Sequence, residues 1–491
     1  LSFSLAPLQS LYSELYSLDA SIGLLGWDRQ VLMAAGGADA RANTLASLVR
    51  MRHEKFTSAR LSDLAEQQII QAVNETERIA ATRLLSDISR ERKIPVSLVE
   101  RRSHATSDAY TAWKQARLDR NFALVIPHYQ TLVELSREMA EAIGGSNELY
   151  DSLLDRYEPG ATTVDLDRMF GAILNPLIEL RSKKLSDGPP ALSDRLDREW
   201  DQAKLRNFAE QMTRQIGFDY NRGRLDIGPS AFCSGTDRFD VRMTTRPSTH
   251  IKGILSSSLH EMGHGLYEQN VRPELAGSPL GHGISLAVHE SQSRLWENLI
   301  GRHPAFWEYF FPQLAQTVDV SEFDAHSFSR AFGAITQNPI RVGSDEVSYN
   351  LHIYVRYQLE RELISGSLAA RDLEEAWNAA YERVLGIEIS DVNLGVLQDV
   401  HWSRGSFGYF PTYAMGNILG GQIWRQMHTE IPVAECLRKG QFGPVLNWLT
   451  QHIYADGRTL SSRELMDRVA GSYLDPQPWL DYVHHRYEMW S

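Results

Sequence analysis

The stretch His260-Glu261-Met-Gly-His264 carries two imidazoles one helical turn apart, inside a run from Leu255 to Tyr267 with helical periodicity. On a helix, positions i and i+4 share a face, so both rings can point at one ion. Glu261, next to His260, reaches a water on that ion from the side rather than completing the coordination. Two imidazoles, a carboxylate and a water suit a catalytic zinc, whose open position holds the nucleophile and whose charge lowers its pKa. A bland alternative is a pair of surface histidines on an amphipathic helix. Ile254, Leu255, Leu259, Met262 and Leu266 argue against it, because they make the helix largely apolar and therefore buried. Buried histidines need partners. Gly263 and Gly265 weaken a helix, so they predict close backbone approach by a neighbour.

A third ligand is expected downstream. Ile284 to Asn298 reads as another helix, and its Glu290 follows His264 at a plausible distance for a ligand on an adjacent element. Between the two lies a loop, Pro273 to Gly283, with two prolines and three glycines. Just before the metal helix, Gly217 to His250 is rich in Gly, Asp, Ser, Thr and aromatics, and Phe239 to Thr245 alternates as a strand does. This is the one persuasive β region. An exposed strand there could pair with an extended peptide, or the strands could form a small structural sheet.

The rest of the chain reads as helix: Leu8–Leu25 closed by Trp27-Asp28, then 40–55, 61–92, 95–118, 123–143 and 164–183. Ser186 to Pro190 is the best linker, read as a loop within one architecture because both sides stay helical. Helices 345–363 and 372–385 follow the metal region. An irregular stretch then runs from Gly395 to Tyr413, whose glycines, aromatics and polar groups suit an active-site wall. The expectation is a single unit over 1–491, with a helical lobe over about 1–216 and the zinc site and groove over about 217–491.

Composition excludes some classes. A hydrophobic share of 43% and a charged share of 23% are those of an ordinary globular protein. A net charge of −12 argues against nucleic acid or an anionic membrane surface as the main partner. No long apolar run reads as a membrane span, and the opening residues lack the basic and apolar regions of a secretory signal. The two cysteines, Cys233 and Cys436, lie far apart and fit no zinc-thiolate spacing. A reducing cytoplasm is the simpler setting for them.

Taken together, the motifs resemble the carboxypeptidase Taq family of zinc metallocarboxypeptidases. Asp240-Val-Arg242-Met-Thr244, the His260-to-His264 motif, His289-Glu290-Ser-Gln292 and Gly395-Val-Leu-Gln398-Asp399-Val-His401-Trp402 match its motifs in order. Ile340-Arg341-Val-Gly-Ser344-Asp345 differs from its pattern only by Ser344 in place of Ala. The family's His-Pro-Phe falls on Ser230-Ala231-Phe232, and its Met-Pro on Met33-Ala34. The lost histidine bears on cleft shape and specificity; no ligand position is affected. The resemblance implies a mainly α, saddle-shaped unit with a deep groove and a small sheet beside the zinc. It also implies removal of single residues from peptide C-termini with broad specificity, and a homodimer.

The chemistry expected is metal-assisted peptide hydrolysis, with His260, His264 and Glu290 as ligands of Zn²⁺ (Co²⁺ as a possible substitute) and Glu261 as general base. His401, Tyr409 and Tyr413 are candidate donors to the oxyanion, and Asp345 or Asp399 could orient a ligand imidazole. Arg242, Arg341 and Arg404 are candidates for the substrate's terminal carboxylate. A zinc oligopeptidase or dipeptidyl carboxypeptidase is the alternative enzyme. A catalytically silent peptide-binding protein is the alternative outside catalysis, though it would have no need of Glu261.

Overall fold

The computed structural model describes residues 3–146 and 148–488. Helix dominates, and the sheet among the described residues has three strands. The chain forms two compact units. The first takes the described residues of Leu1–Arg92, Ala191–Phe332 and Ile423–Tyr473. The second takes those of Lys93–Pro190, Gly333–Gln422 and Leu474–Ser491. The Ser186–Pro190 segment ends where the chain passes from one unit to the other.

In the first unit, the opening helix is longer than its sequence pattern, spanning Ala6–Val31 with Pro7 in its first turn. Trp27 and Asp28 do not close it. Neither residue breaks a helix, and Trp27 is a buried core residue while Asp28 pairs with Arg41 at 2.6 Å. The expected single run 61–92 divides into Ala59–Gln71 and Glu75–Arg92. Asn74 makes the break: its side-chain oxygen accepts from the Glu77 amide at 2.9 Å, which caps the second helix. An aromatic cluster of Phe306, Trp307, Phe310, Phe328 and Phe442 fills much of this unit's interior. Each such side chain contributes roughly 1.5–3 kcal/mol by leaving water.

All three strands fall within the predicted β region: β1 (Gly223–Ile227), β2 (Phe232–Asp237) and β3 (Asp240–Thr245). β3 is central, parallel to β1 and antiparallel to β2, with an irregularity between Gly235 and Asp237. Val241 and Met243 of β3 are buried. The sheet is tied to the helix that follows, Ile251–Asn270, at both ends. Thr245 and Ser257 share a hydroxyl hydrogen bond of 2.6 Å. Buried Gln269 accepts from the Asp219 amide and donates to the Asp219 and Arg222 carbonyls, just ahead of β1.

In the second unit, helices Val96–Asp119, Ile126–Ile143, Thr163–Asp187, Glu346–Ser365 and Leu373–Leu385 surround Tyr129, Trp377, Trp402 and Phe410. Asp345 is the N-cap of Glu346–Ser365, accepting from the Val347 and Ser348 amides at 3.1 and 2.8 Å.

Candidate metal centre

His260, Glu261 and His264 sit in the middle of Ile251–Asn270, and Glu290 sits on Leu286–Arg294, a helix started by Ser285, whose hydroxyl accepts from the Val288 amide. The two helices touch at Gly263. A Cβ there would lie 2.5 Å from the Gln292 carbonyl oxygen and 2.6 Å from the Ser293 Cα, so only glycine permits this spacing. Gly265 is similarly tight against the Phe218 ring. The close approach predicted from both glycines is therefore present, and it is what brings Glu290 to the histidines.

The Glu290 Oε2 stands 3.7 Å from His260 Nε2 and 3.5 Å from His264 Nε2. These three residues are the metal-competent group found among the described residues, with donor atoms within 4.8 Å of one another. Ligands bound at about 2.0–2.1 Å around a tetrahedral ion stand roughly 3.4 Å apart, so the spacing and the donor types fit zinc. Glu261 is buried, and its Oε2 has no hydrogen-bond partner among the described residues. Burial, with Glu290 and Glu297 nearby, pushes its carboxyl up to about 7 against the pull of His260. A buried carboxylate with an open oxygen beside two imidazoles is placed to take a proton.

The three residues are held in turn. His260 Nδ1 lies 2.9 Å from Glu297, which also accepts from Arg294 at 3.0 Å. Arg294 reaches Glu290 Oε1 at 2.7 Å. Burial alone would raise Glu290, but Arg294 and the two histidines hold it well below the usual carboxylate range. His264 Nδ1 lies 2.5 Å from His289 Nδ1, and His289 Nε2 lies 2.8 Å from Glu268. Burial pushes His264 down to about 4, so it is neutral at pH 7. Glu297, Arg294 and Glu268 were not singled out from the sequence. Their signal is spacing: Arg294 and Glu297 follow Glu290 at i+4 and i+7, and Glu268 follows His264 at i+4. Glu297 lies in a π-helical segment, Leu295–Ile300, an irregularity that recurs at functional sites.

Asp345 is the helix cap described above, and Asp399 sits between two arginines of the second unit. It accepts from Arg341 at 2.6 Å and from Arg356 at 2.7 Å. Arg341 also donates to Tyr349 at 2.8 Å and lies over the Tyr413 and Phe410 rings. Next in chain, His401 packs against Tyr409 and Phe410, and its Nε2 is 3.3 Å from the Tyr413 hydroxyl. Burial and the neighbouring arginines push His401 down to about 3, so it is neutral at pH 7.

The three candidate arginines differ. Arg341 is buried and committed to Asp399 and Tyr349. Arg242 is held by both oxygens of Asp240, each at 2.9 Å, and lies over Trp27. Arg404 is exposed and rests over Tyr110, with no acidic partner among the described residues. At the substituted motif, Ser230 meets Gln30 at 3.2 Å, and Thr244 donates to the Ser230 carbonyl.

Paired histidines and a carboxylate from a second helix, with an unpartnered glutamate beside them, define a metallopeptidase. The particular family follows from comparison. The sequence signature of the carboxypeptidase Taq (M32) metallopeptidases matches residues 7–487, and the chain belongs to that family. It is 35% identical over 485 residues to thermostable carboxypeptidase 1 of Thermus thermophilus, covering 95% of each. It is 32% identical to the protein of the same name from Pyrococcus furiosus, covering 97% of each. Among solved structures, the M32 carboxypeptidase of Deinococcus radiodurans aligns with a TM-score of 0.96 at 32% identity, covering 99% of each chain. The carboxypeptidase of Pyrococcus furiosus aligns at 0.95 and 31%, again over 99% of each. The chain is a metallocarboxypeptidase, a peptide hydrolase.

Proposed function

We propose that the metal is Zn²⁺ and that the enzyme removes single amino acids from peptide C-termini with broad specificity. The observation that carries this reading is the convergence of His260 Nε2, His264 Nε2 and Glu290 Oε2 beside the unpartnered Glu261 Oε2. When bound, the ion supplies Lewis acidity, which polarises a carbonyl and lowers the pKa of water. Glu261 takes a proton at Oε2 from the attacking water and delivers it to the leaving nitrogen. His401, Tyr409 and Tyr413 are the donors assigned to the developing oxyanion, and the neutral state of His401 supports its part. Arg404, the candidate with no acidic partner, is assigned the substrate's terminal carboxylate.

We further propose a cytoplasmic homodimer, in keeping with the family resemblance and with two free cysteines. No helix among the described residues is long and apolar enough to cross a membrane. The deciding experiment measures metal content together with the products from an N-blocked peptide. One equivalent of zinc and stepwise loss of single C-terminal residues is the expected result. Dipeptide release or internal cleavage would transfer the assignment to an oligopeptidase, and binding without turnover to a silent peptide-binding protein.

A further inference from the structure

Two residues that take no part in the proposed chemistry decide which nitrogen of His264 is free. Glu268 lies on the metal helix, and its carboxylate is met by three donors. His289 Nε2 and the Gly283 amide reach Oε1 at 2.8 and 3.1 Å, and His282 Nδ1 reaches Oε2 at 3.2 Å. Although burial would raise it, His282 and His289 hold this carboxyl well below the usual carboxylate range, so it accepts and does not donate. His289 must then carry its proton on Nε2. With its proton on Nε2, His289 presents Nδ1 as an acceptor, and the group facing it is His264 Nδ1. His264 therefore donates from Nδ1, and its Nε2, the atom 3.5 Å from Glu290, is bare.

The opposite arrangement has a definite defect. With His289 protonated on Nδ1 instead, its Nε2 lone pair would face a carboxylate oxygen at 2.8 Å, two acceptors without a proton between them. In that arrangement His264 would hold its proton on Nε2, where it blocks coordination. We propose that Glu268 and His289 are positioning residues for the metal, a carboxylate–imidazole–imidazole relay that presents His264 with Nε2 free. His260 reaches the same state through one direct partner, Glu297; His264 reaches it through two. The Glu268 end of the relay is set by the Pro273–Gly283 loop, because His282 and Gly283 supply its other donors. The inference rests on the ligand assignment above and not on the reaction assigned to the site.

The test measures zinc dissociation constants by chelator competition at neutral pH for wild type, Glu268→Gln, His289→Phe and His289→Gln. Glu268→Gln keeps size and shape, but its amide can donate to His289 and admit the blocking arrangement. His289→Phe keeps a flat ring and removes the acceptor, whereas the His289→Gln carbonyl can still accept from His264. Glu268→Gln and His289→Phe are expected to weaken zinc binding ten- to hundredfold, and His289→Gln to recover most of that loss. Nitrogen NMR of ¹⁵N-histidine-labelled apoprotein supplies a readout that a packing role would not move. His264 is expected as the Nδ1–H form in wild type, with the Nε2–H form gaining population in Glu268→Gln. If His289→Phe does not fold, Glu268→Gln carries the test. Tight zinc binding by wild type and equally tight binding by Glu268→Gln, with an unchanged His264 signal, overturns the relay alone. A wild type that takes up no zinc overturns the ligand assignment and the relay together.

Discussion

Gly263 and Gln292 meet so closely that a Cβ on the glycine would stand 2.5 Å from the glutamine's carbonyl oxygen. That contact sets the separation of the helix bearing His260 and His264 from the helix bearing Glu290. Alanine in place of a helical glycine ordinarily stabilises a helix by about 1 kcal/mol. Here overpacking costs about 1–3 kcal/mol, because the atoms met are backbone and cannot swing away. Gly263→Ala is expected to be destabilised, and to hold zinc at least tenfold more weakly as Glu290 is pushed outward by several tenths of an ångström. Thermal unfolding of the apoprotein and chelator competition check the two parts. Unchanged zinc affinity would show that the contact is packing alone.

Glu261→Gln is expected to fold, to bind one equivalent of zinc, and to lose nearly all turnover. An amide cannot accept the proton that the carboxylate takes at Oε2. Single-turnover hydrolysis of an N-blocked peptide alongside metal analysis is the measurement. Turnover within tenfold of wild type would mean that another group acts as base.

The meeting of His260, His264 and Glu290 was legible in the sequence because its logic is local. His260 and His264 lie one helical turn apart, and Glu290 lies in the next motif of a recognisable series. Gly263 was legible for the same reason, since glycine weakens a buried helix and is favoured there only where a neighbour needs the space of a Cβ. Glu268 and Glu297 were not, because an acidic residue on a helix normally faces water. What gives each a role is an imidazole brought to it by tertiary packing. The arginines could not be told apart for a different reason. Asp399 is nearly sixty residues from Arg341 in the chain, so sequence could not say that this guanidinium is already engaged while Arg404 is not. The predominance of helix and the β region were read correctly from periodicity, whereas the break at Asn74 turns on one side-chain cap among residues that all tolerate helix.

Glu360, in the second unit, supplies a pH dependence of stability. It is fully buried and accepts from Tyr150 at 2.7 Å, from Trp402 Nε1 at 2.7 Å and from the Gly408 amide at 2.9 Å, which anchors the loop between His401 and Tyr409. Burial outweighs those donors and pushes its carboxyl up from 4.5 to about 7. An acid whose folded-state pKa is raised contributes its full stability below the unfolded value and loses it as pH climbs through the folded value. The contribution should therefore fall between about pH 4.5 and 7, by on the order of 3 kcal/mol at most. Depressed histidines elsewhere act in the opposite sense, so the diagnostic quantity is the difference between wild type and Glu360→Gln. Unfolding midpoints across that window should converge or cross between the two proteins. A constant difference would sink the assignment.

The proposed direction of cleavage rests on recognition of a free carboxylate, the role assigned above to Arg404. N-blocked peptides with a free C-terminus should be cleaved well, and their C-terminal amides poorly. Losing a charge-assisted bidentate contact costs roughly 2–5 kcal/mol, much of it from the arginine left without a partner. That corresponds to a fall of about thirty- to several-thousandfold in kcat/KM. Arg404→Ala should lose activity on the acid and close most of the gap between acid and amide. Arg242→Ala should leave the gap open, because the Nε and Nη2 of this guanidinium already face Asp240. Arg341→Ala strips Asp399 of one of its two cationic partners, so it should lower stability and activity on acid and amide alike. A gap that survives in Arg404→Ala and closes in Arg341→Ala would move carboxylate recognition to Arg341. Equal cleavage of acid and amide by wild type would remove the need for any such arginine and favour an oligopeptidase.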